Sequence, residues 1–523
     1  MKLVTFEKYS YNLNIIYSNY NTSKLSFLCL ILVFFILFFN ISINYLINFT
    51  NDDSYFYLKT ALTFALEGKS SFDGINPTNG YHPLWFLLVS IIYKSCLIFG
   101  FSSNEFLLRI IFVATSLINL LTLFFVRKII KEVNRQPNTF IFIVTFLLLV
   151  PFVLFYLVGL EVQVFILTLV ILIYLLLKFI KYGLNKFLII YISCTFSLLF
   201  LARVDIFWYV IVSVFIFTVN YKREQLLGML QTLVIPLLII IIYVIINKIN
   251  FQTYYPISSY YKLSFNVLEN FRFFPLPQKD PINFALLLLI SFFTGIYYLN
   301  KTYKKLKNND VLRLIEWLNI AFLIFLFLNF LINSNGAREW YYSFPMFTSI
   351  LMFSMTIAGT KYEKLIILSI IIFNIFYFLI FRSYYYNHIS AYNFANKIKK
   401  LLPEEVKIYQ IDYSGLIAFF SGKRIINGDG LINSYEYYEA IKSGKLLDYL
   451  QNIKPDYFVF YSFTNPILDD IFLYHFDVLK TYEIRIPTKN LVLIEPFLYG
   501  GIFRRKVGNF YLLKLNEFEV IRH

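Results

Sequence analysis

The chain has 523 residues, of which 59% are hydrophobic, 21% aromatic and only 15% charged, with a mean hydropathy of +0.64. That balance excludes a water-soluble globular protein and defines a polytopic membrane protein. The net charge of +16 sits in short basic clusters between apolar runs, the positive-inside pattern, and so excludes nucleic acid as the partner.

Apolar runs of spanning or near-spanning length fall at 25–47, 84–99, 106–126, 138–157, 162–177, 187–201, 206–219, 229–247, 282–299, 314–333, 344–358 and 363–381. The first starts near Leu25, is too long for a signal-peptide core and lacks a small-residue cleavage site, so it is expected to remain as a span. If all of them crossed, with a cytoplasmic N-terminus, the basic linkers holding Arg127, Lys128, Lys131 and Arg135, and later Lys301, Lys304, Lys305 and Lys307, would lie outside. The positive-inside rule forbids that parity. When the region from Pro83 to Val126 contributes one crossing, with 84–99 lying along the interface or re-entering, every basic linker moves inside. The expected topology is about 11 crossings, N-terminus in and C-terminus out, over residues 1–383.

The polar segments then gather on the external side. The first loop, 48–83, begins with Asp52 and Asp53, shows apolar residues at helical spacing up to a Gly68 stop, and closes on Gly80-Tyr81-His82-Pro83. Later come Gly159 to Glu161, Arg203 to Asp205, the long segment 248–281 with Tyr254, Tyr255, Tyr260, Tyr261 and Lys262, and the cluster Arg338-Glu339-Trp340-Tyr341-Tyr342. From about Tyr384 to His523 charge returns and apolar runs shorten, which predicts a soluble α/β domain over 384–523. Its expected strands are Val406–Ile411, Tyr457–Tyr461, Leu491–Ile494 and Phe510–Leu515, with one amphipathic helix over Ser434–Asn452. Cys29, Cys96 and Cys194 show neither a disulfide framework nor metal-ligand spacing.

The order Asp52, Asp53, Tyr55 followed by Gly80, Tyr81, Pro83, Leu84, Trp85 resembles the first external loop of the GT-C superfamily of integral-membrane glycosyltransferases, closest to the bacterial branch with the mycobacterial arabinofuranosyltransferases and the protein and lipid mannosyltransferases. Gly159-Leu160-Glu161 and Arg203-Val204-Asp205 resemble that branch's Gly-x-Glu and Arg-Pro-Asp, with Val204 in the place of proline. The resemblance implies a GT-C-like all-α membrane bundle with interfacial helices in the first loop. It also implies a polyprenyl-phosphate sugar donor, and a lipid, glycan or protein acceptor at the external face of the cytoplasmic membrane. Inverting transfer from such a donor needs one carboxylate to take the acceptor hydroxyl's proton. Asp52 or Asp53 fits, and a divalent cation held by the pair would shield the lipid phosphate. No other cofactor is expected. The alternative for either aspartate is a helix N-cap near Ser54.

His82, with Tyr81, is a candidate for phosphate or acceptor binding, or else an interfacial histidine satisfied by backbone. Glu161, Arg203 and Asp205 are charges flanked by long apolar runs, where ionisable groups are costly unless they pair or face water. Arg203 can meet a donor phosphate bidentately, or lock two helices through Glu161 or Asp205. Arg338 is a further candidate phosphate ligand, beside an aromatic run that reads equally as an interfacial belt. Asp412-Tyr413-Ser414-Gly415 and Asn427-Gly428-Asp429-Gly430-Leu431 read as turns. A transporter of a lipid-linked sugar, which would carry charge near mid-membrane, and a non-catalytic assembly protein that has lost the donor site are the competing functions.

Overall fold

The structure is a computed structural model that describes residues 33, 35–133, 158–263, 281–299, 309–333, 337–357, 368, 372, 386–477, 481–501 and 504–522. The apolar run 138–157, nearly all of 363–381, most of the first run, Arg135 and the basic linkers 301–307 and 361–364 lie outside the described residues.

The helices follow the apolar pattern closely. In chain order they are α1 (Ile43–Ile47), α2 (Asp52–Glu67), α3 (Pro83–Ile98), α4 (Asn104–Val133), α5 (Val162–Tyr182), α6 (Lys186–Ala202), α7 (Phe207–Tyr221), α8 (Leu226–Gln231), α9 (Val234–Phe251), α10 (Ile257–Lys262), α11 (Pro281–Leu299), α12 (Asp310–Ile332) and α13 (Ser343–Ile357). Among the described residues four helical stretches are long and apolar enough to cross a membrane: Asn104–Glu132, Val162–Tyr182, Arg223–Phe251 and Asp310–Ile332. Helix α9 turns Leu237, Leu238, Ile241, Ile242, Ile245 and Ile246 outward. Such a continuous apolar face is stable only against lipid or another apolar surface. Polar groups between the helices pair internally instead: Thr348 Oγ1 donates to Asn319 Oδ1 at 2.6 Å, and Ser349 Oγ to the same oxygen at 3.1 Å.

The two helices of the first loop are set by local chemistry. Asn51, in an extended conformation, caps α2: its side chain accepts the Asp53 N–H at 3.2 Å, and Ser54 Oγ accepts the Asn51 N–H at 3.3 Å. The cap is therefore Asn51. Asp52 and Asp53 lie inside the first turn, where negative charge favours the helix dipole. Gly68 ends the helix at φ +73°, in the left-handed region that glycine adopts without strain. Pro83 occupies the first position of α3, following extended His82, and α3 packs back along α2.

The expected α/β domain is present. It adds α14 (Tyr386–Leu401), α15 (Ser414–Ser421), α16 (Tyr435–Ser443) and α17 (Leu446–Ile453) to nine strands. A five-stranded sheet has the order β2 (Arg424–Asn427), β1 (Lys407–Gln410), β3 (Tyr457–Ser462), β8 (Arg504–Lys514), β7 (Leu491–Gly501). Strands β1, β2 and β3 pair in parallel, and β8 pairs antiparallel to both β3 and β7. A second, antiparallel sheet runs β4 (Ile467–Leu468), β5 (Ile471–Asp477), β6 (Thr481–Pro487), β9 (Glu519–Arg522). The helix expected over Ser434–Asn452 is two helices. Ser434 caps α16, but Gly444 at φ +79° stops it and the chain restarts as α17. The apolar period continues across the break, which is why the pattern alone joins them.

One buried apolar cluster runs from the membrane helices through the first loop into this domain. It includes Tyr55, Trp85, Phe165 and Phe344 together with Phe394, Leu416, Phe419 and Leu512.

Candidate active site

The elements that carry the polar segments converge on one cleft of about 530 Å³, counted to its open mouth. Its walls are Asp53, Phe56 and Tyr57 of α2, Gly80, Tyr81 and His82 before α3, Leu160 and Glu161 before α5, and Arg203 at the end of α6. Pro256, Ser258 and Lys262 of the α10 segment, Trp340 and Tyr341 before α13, and Leu431 of the C-terminal domain complete it. Residues more than 370 positions apart in sequence thus share one wall.

The two adjacent aspartates diverge, as neighbours on a helix must at 3.6 residues per turn. Asp53 faces the cleft. Asp52 faces the C-terminal domain, where its Oδ1 accepts the Leu416 N–H at 2.8 Å, in the first turn of α15. Gly415 makes this approach possible, since a Cβ there would lie 2.5 Å from the Asp52 carbonyl oxygen. Burial, then the repulsion of Asp53 and Asp429, pushes the Asp52 carboxyl up to about 8. Burial also raises the Asp53 carboxyl, against the pull of Lys262 and Arg338.

Arg203 forms the floor. Its side chain is 1% exposed. Nε donates to Asp205 Oδ1 at 2.9 Å and Nη2 to Asp205 Oδ2 at 2.5 Å, while Nη1 donates to Glu161 Oε1 at 2.8 Å. The guanidinium also lies over the rings of Tyr341 at 5.3 Å and Phe344 at 5.1 Å. Burial would push Asp205 up, but Arg203 holds it far below the usual carboxylate range. Both alternatives open in the sequence are thus compatible here: the helix-locking pair is present, and the same guanidinium lines the cleft.

His82 sits above this pair. Its Nδ1 accepts the Val204 N–H at 3.4 Å, and its Nε2 lies 3.9 Å from Glu161 Oε1. Burial, then Arg203, lowers its pKa to about 4, so the imidazole is neutral at neutral pH with its proton on Nε2. The Val204 backbone is thus the contact made at the position where the resembling motif has proline, a residue without an N–H to give. Tyr81 stacks on Phe86 with centroids 4.0 Å apart and shares a hydrogen bond with Ser70.

Glycine explains the Gly-x-Glu spacing. Gly159 adopts φ +90°, a Cβ there would sit 2.9 Å from Ser54 Cβ, and its carbonyl accepts the Trp85 Nε1–H at 2.6 Å. The turn presses against α2 and delivers Glu161 two residues later to Arg203.

Trp340, Tyr341 and Tyr342 are 7%, 5% and 1% exposed. They are not an interfacial belt: the first two face the cleft, and Phe325 meets Tyr341 edge-on at 5.7 Å. Arg338 is exposed outside the cleft lining, close enough to act on Asp53.

Three further residues acquire meaning only from the fold. Asn79 is a buried hub: its Nδ2 reaches Thr253 Oγ1 at 2.8 Å, Asn247 Oδ1 at 3.1 Å and the Tyr255 carbonyl at 3.1 Å, and its Oδ1 accepts the Ile257 N–H at 3.0 Å. It ties the α10 segment to the first loop and so sets Lys262, one step along that helix, into the cleft wall. Asp429 reaches the same region from the C-terminal domain. The one sequence signal for it is an acid between two glycines, a pattern common to ordinary turns.

The donor set does not fit a chelated metal ion. Asp52 is directed to α15 and Asp53 to the cleft, and among the described residues no group of three or more His, Cys, Asp or Glu side chains is arranged to hold an ion.

No family model matches the sequence, and no curated protein does. The fold does match. It is similar to ArnT from Cupriavidus metallidurans bound to undecaprenyl phosphate, with a TM-score of 0.56 at 11% identity over 92% of this chain and 98% of that one. It is also similar to the apo state of the same protein, with a TM-score of 0.53 at 11% identity over 93% and 98%. A looser match is the Archaeoglobus fulgidus oligosaccharyltransferase AglB with an inhibitory peptide and a dolichol-phosphate, at a TM-score of 0.46, 12% identity, and 78% and 65% coverage. The chain shares the fold of ArnT, a membrane-embedded helical unit with a C-terminal strand-containing domain.

Proposed function

We propose that this protein is an inverting membrane glycosyltransferase that moves a sugar from a polyprenyl-phosphate donor to a hydroxyl of a lipid, glycan or protein acceptor at the external face of the cytoplasmic membrane. The observation that carries the reading is the division of labour between the two aspartates, with Asp53 facing a cleft whose walls also hold Arg203 and Lys262. The fold shared with a protein solved on undecaprenyl phosphate supports a donor of that class.

In this reading Asp53 is the base. It takes the proton of the acceptor hydroxyl as that oxygen bonds to the anomeric carbon, and the carbon–oxygen bond to phosphate breaks, leaving its electron pair on the lipid phosphate. Three of the five guanidinium N–H groups of Arg203 are committed to Glu161 and Asp205. It therefore acts as a fixed positive charge, while Lys262 and Arg338 meet the phosphate oxygens as negative charge develops. Neutral His82 offers an Nε2–H to the donor, and Tyr81 holds the wall beside it. The gathering of polar groups at one end of the helices, rather than at their middle, favours transfer over transport.

The test is sugar release from a panel of radiolabelled polyprenyl-phosphate hexoses and pentoses by the full chain in lipid nanodiscs. Asp53→Asn is expected to lower turnover by about 10²–10⁴-fold, the usual contribution of a positioned base, while Asp52→Asn keeps most of it. Movement of labelled lipid across the bilayer by wild type, with no sugar transferred, would replace this reading with the transporter.

A further inference from the structure

The structure assigns to the C-terminal domain an acceptor-positioning residue, Asp429, carried to the edge of the cleft by the Gly428–Leu431 loop, whose Leu431 lines it. This rests on the transferase reading above and adds the side from which the acceptor is held.

The placement of the loop is forced at two points. A Cβ on Gly80, inside the first-loop motif, would run into the Leu431 carbonyl oxygen. A Cβ on Gly430, at φ +81°, would run into the Tyr261 ring, one residue before Lys262. Two glycines in separate segments therefore seat the loop against the elements that form the cleft, and Leu431 lines it. Within the loop, Asp429 Oδ1 accepts the Leu431 N–H at 2.8 Å, which fixes the carboxyl's orientation. Asp429 is half-buried and lies within electrostatic reach of both Asp53 and Asp52. Burial, then Asp53 and Asp412, raises its carboxyl to about 7. A rigid carboxyl in this position does not suit a phosphate, which it would repel. It suits a hydroxyl-bearing partner, which donates a hydrogen bond to it. Lys262 and Arg338 supply the positive charge that suits a phosphate, and Asp429 supplies an acceptor for a hydroxyl.

The experiment compares the full chain in nanodiscs as wild type, Asp429→Asn, Asp429→Ala, Gly80→Ala and Lys262→Ala. Two quantities are read: acceptor KM and kcat in the transfer assay, and binding of undecaprenyl phosphate followed by quenching of tryptophan fluorescence. Both Asp429 variants are expected to raise acceptor KM about tenfold or more, with kcat within about threefold and undecaprenyl-phosphate binding unchanged. Gly80→Ala, which removes no carboxylate but displaces the loop, reproduces the rise in KM. Lys262→Ala weakens lipid-phosphate binding instead. An acceptor KM unchanged in both Asp429 variants, or lipid-phosphate binding weakened by them as much as by Lys262→Ala, overturns the assignment while leaving the transferase reading intact. Wild-type protein that binds undecaprenyl phosphate but transfers no sugar from any donor overturns the transferase reading, and this inference with it.

Discussion

Asp52 and Asp53 are consecutive, chemically identical and within one helical turn of the same cap, yet they belong to different parts of the molecule. The Asp52 carboxyl is raised from 3.8 to about 8 in the fold. For a carboxyl raised by folding, the protonated form is the better fit; its contribution is complete below pH of about 4 and is lost as pH climbs through about 8. Asp429, raised to about 7, has the same sign. His82 and His388, both lowered to about 4, act with the opposite sign up to about pH 6.5, so the unfolding temperature of the full chain should fall between about pH 6.5 and pH 8, and Asp52→Asn, which still accepts the Leu416 N–H, should flatten that fall. A variant with the wild-type slope would exclude Asp52 as its source. Arg203 poses the opposite situation, a buried cation fully paired. Arg203→Ala leaves Glu161 buried without its cation, so it is expected to destabilise by about 3–5 kcal/mol. The double variant Arg203→Ala/Glu161→Gln should recover part of the loss in a thermal-unfolding measurement. Arg203→Lys should not, because a point charge cannot serve both Asp205 oxygens and Glu161 together.

At the scale of elements, the cleft depends on short connections held by polar hubs rather than on the long helices themselves. Asn79 links the first loop to the end of α9 and the start of α10 through four hydrogen bonds. Asn79→Ala abandons buried partners such as Thr253 and the Ile257 N–H, each worth about 1–3 kcal/mol when left unsatisfied. Global unfolding need not follow. The segment 252–262 should detach locally, seen as faster limited proteolysis between Gln252 and Lys262, with Lys262 displaced from the cleft. Equal cleavage rates in variant and wild type would show that packing of Tyr261 alone holds the segment.

The molecule as a whole is a helical membrane unit and a C-terminal strand-containing domain that share one buried interior. Tyr55 of the first loop packs against Phe419 and Phe420 of α15, each at 5.6 Å between centroids. Tyr392 of α14 donates to Glu105 Oε1 of α4 at 2.7 Å. Removing residues 386–523 would expose this face and strip Asp52 of its backbone partner. A chain ending at residue 385 is expected to aggregate on extraction from the membrane, and co-expression of the two pieces is expected to restore a monodisperse complex in size-exclusion chromatography. Monodisperse behaviour of the truncated chain alone would show that the interface is dispensable.

Composition and period were enough to establish a membrane protein, the starts of α4 and α5, the bounds of α6 and α12 to within a few residues, the four expected strands of the C-terminal domain and the Gly68 stop, because these follow from transfer free energies and backbone conformation at neighbouring positions. The segments from which the cleft is built were also legible, since charges and turn residues between apolar runs have few structural uses. Their roles were not. The choice between Asp52 and Asp53 depends on the direction of each side chain, the inward turn of Trp340 and Tyr341 on helix packing, and the break at Gly444 on one left-handed residue inside a continuous apolar pattern. The placement of the Asp429 loop at the edge of the cleft depends on two glycines that admit a distant segment. Such facts arise from contacts between residues hundreds of positions apart, and only the tertiary structure brings those residues together.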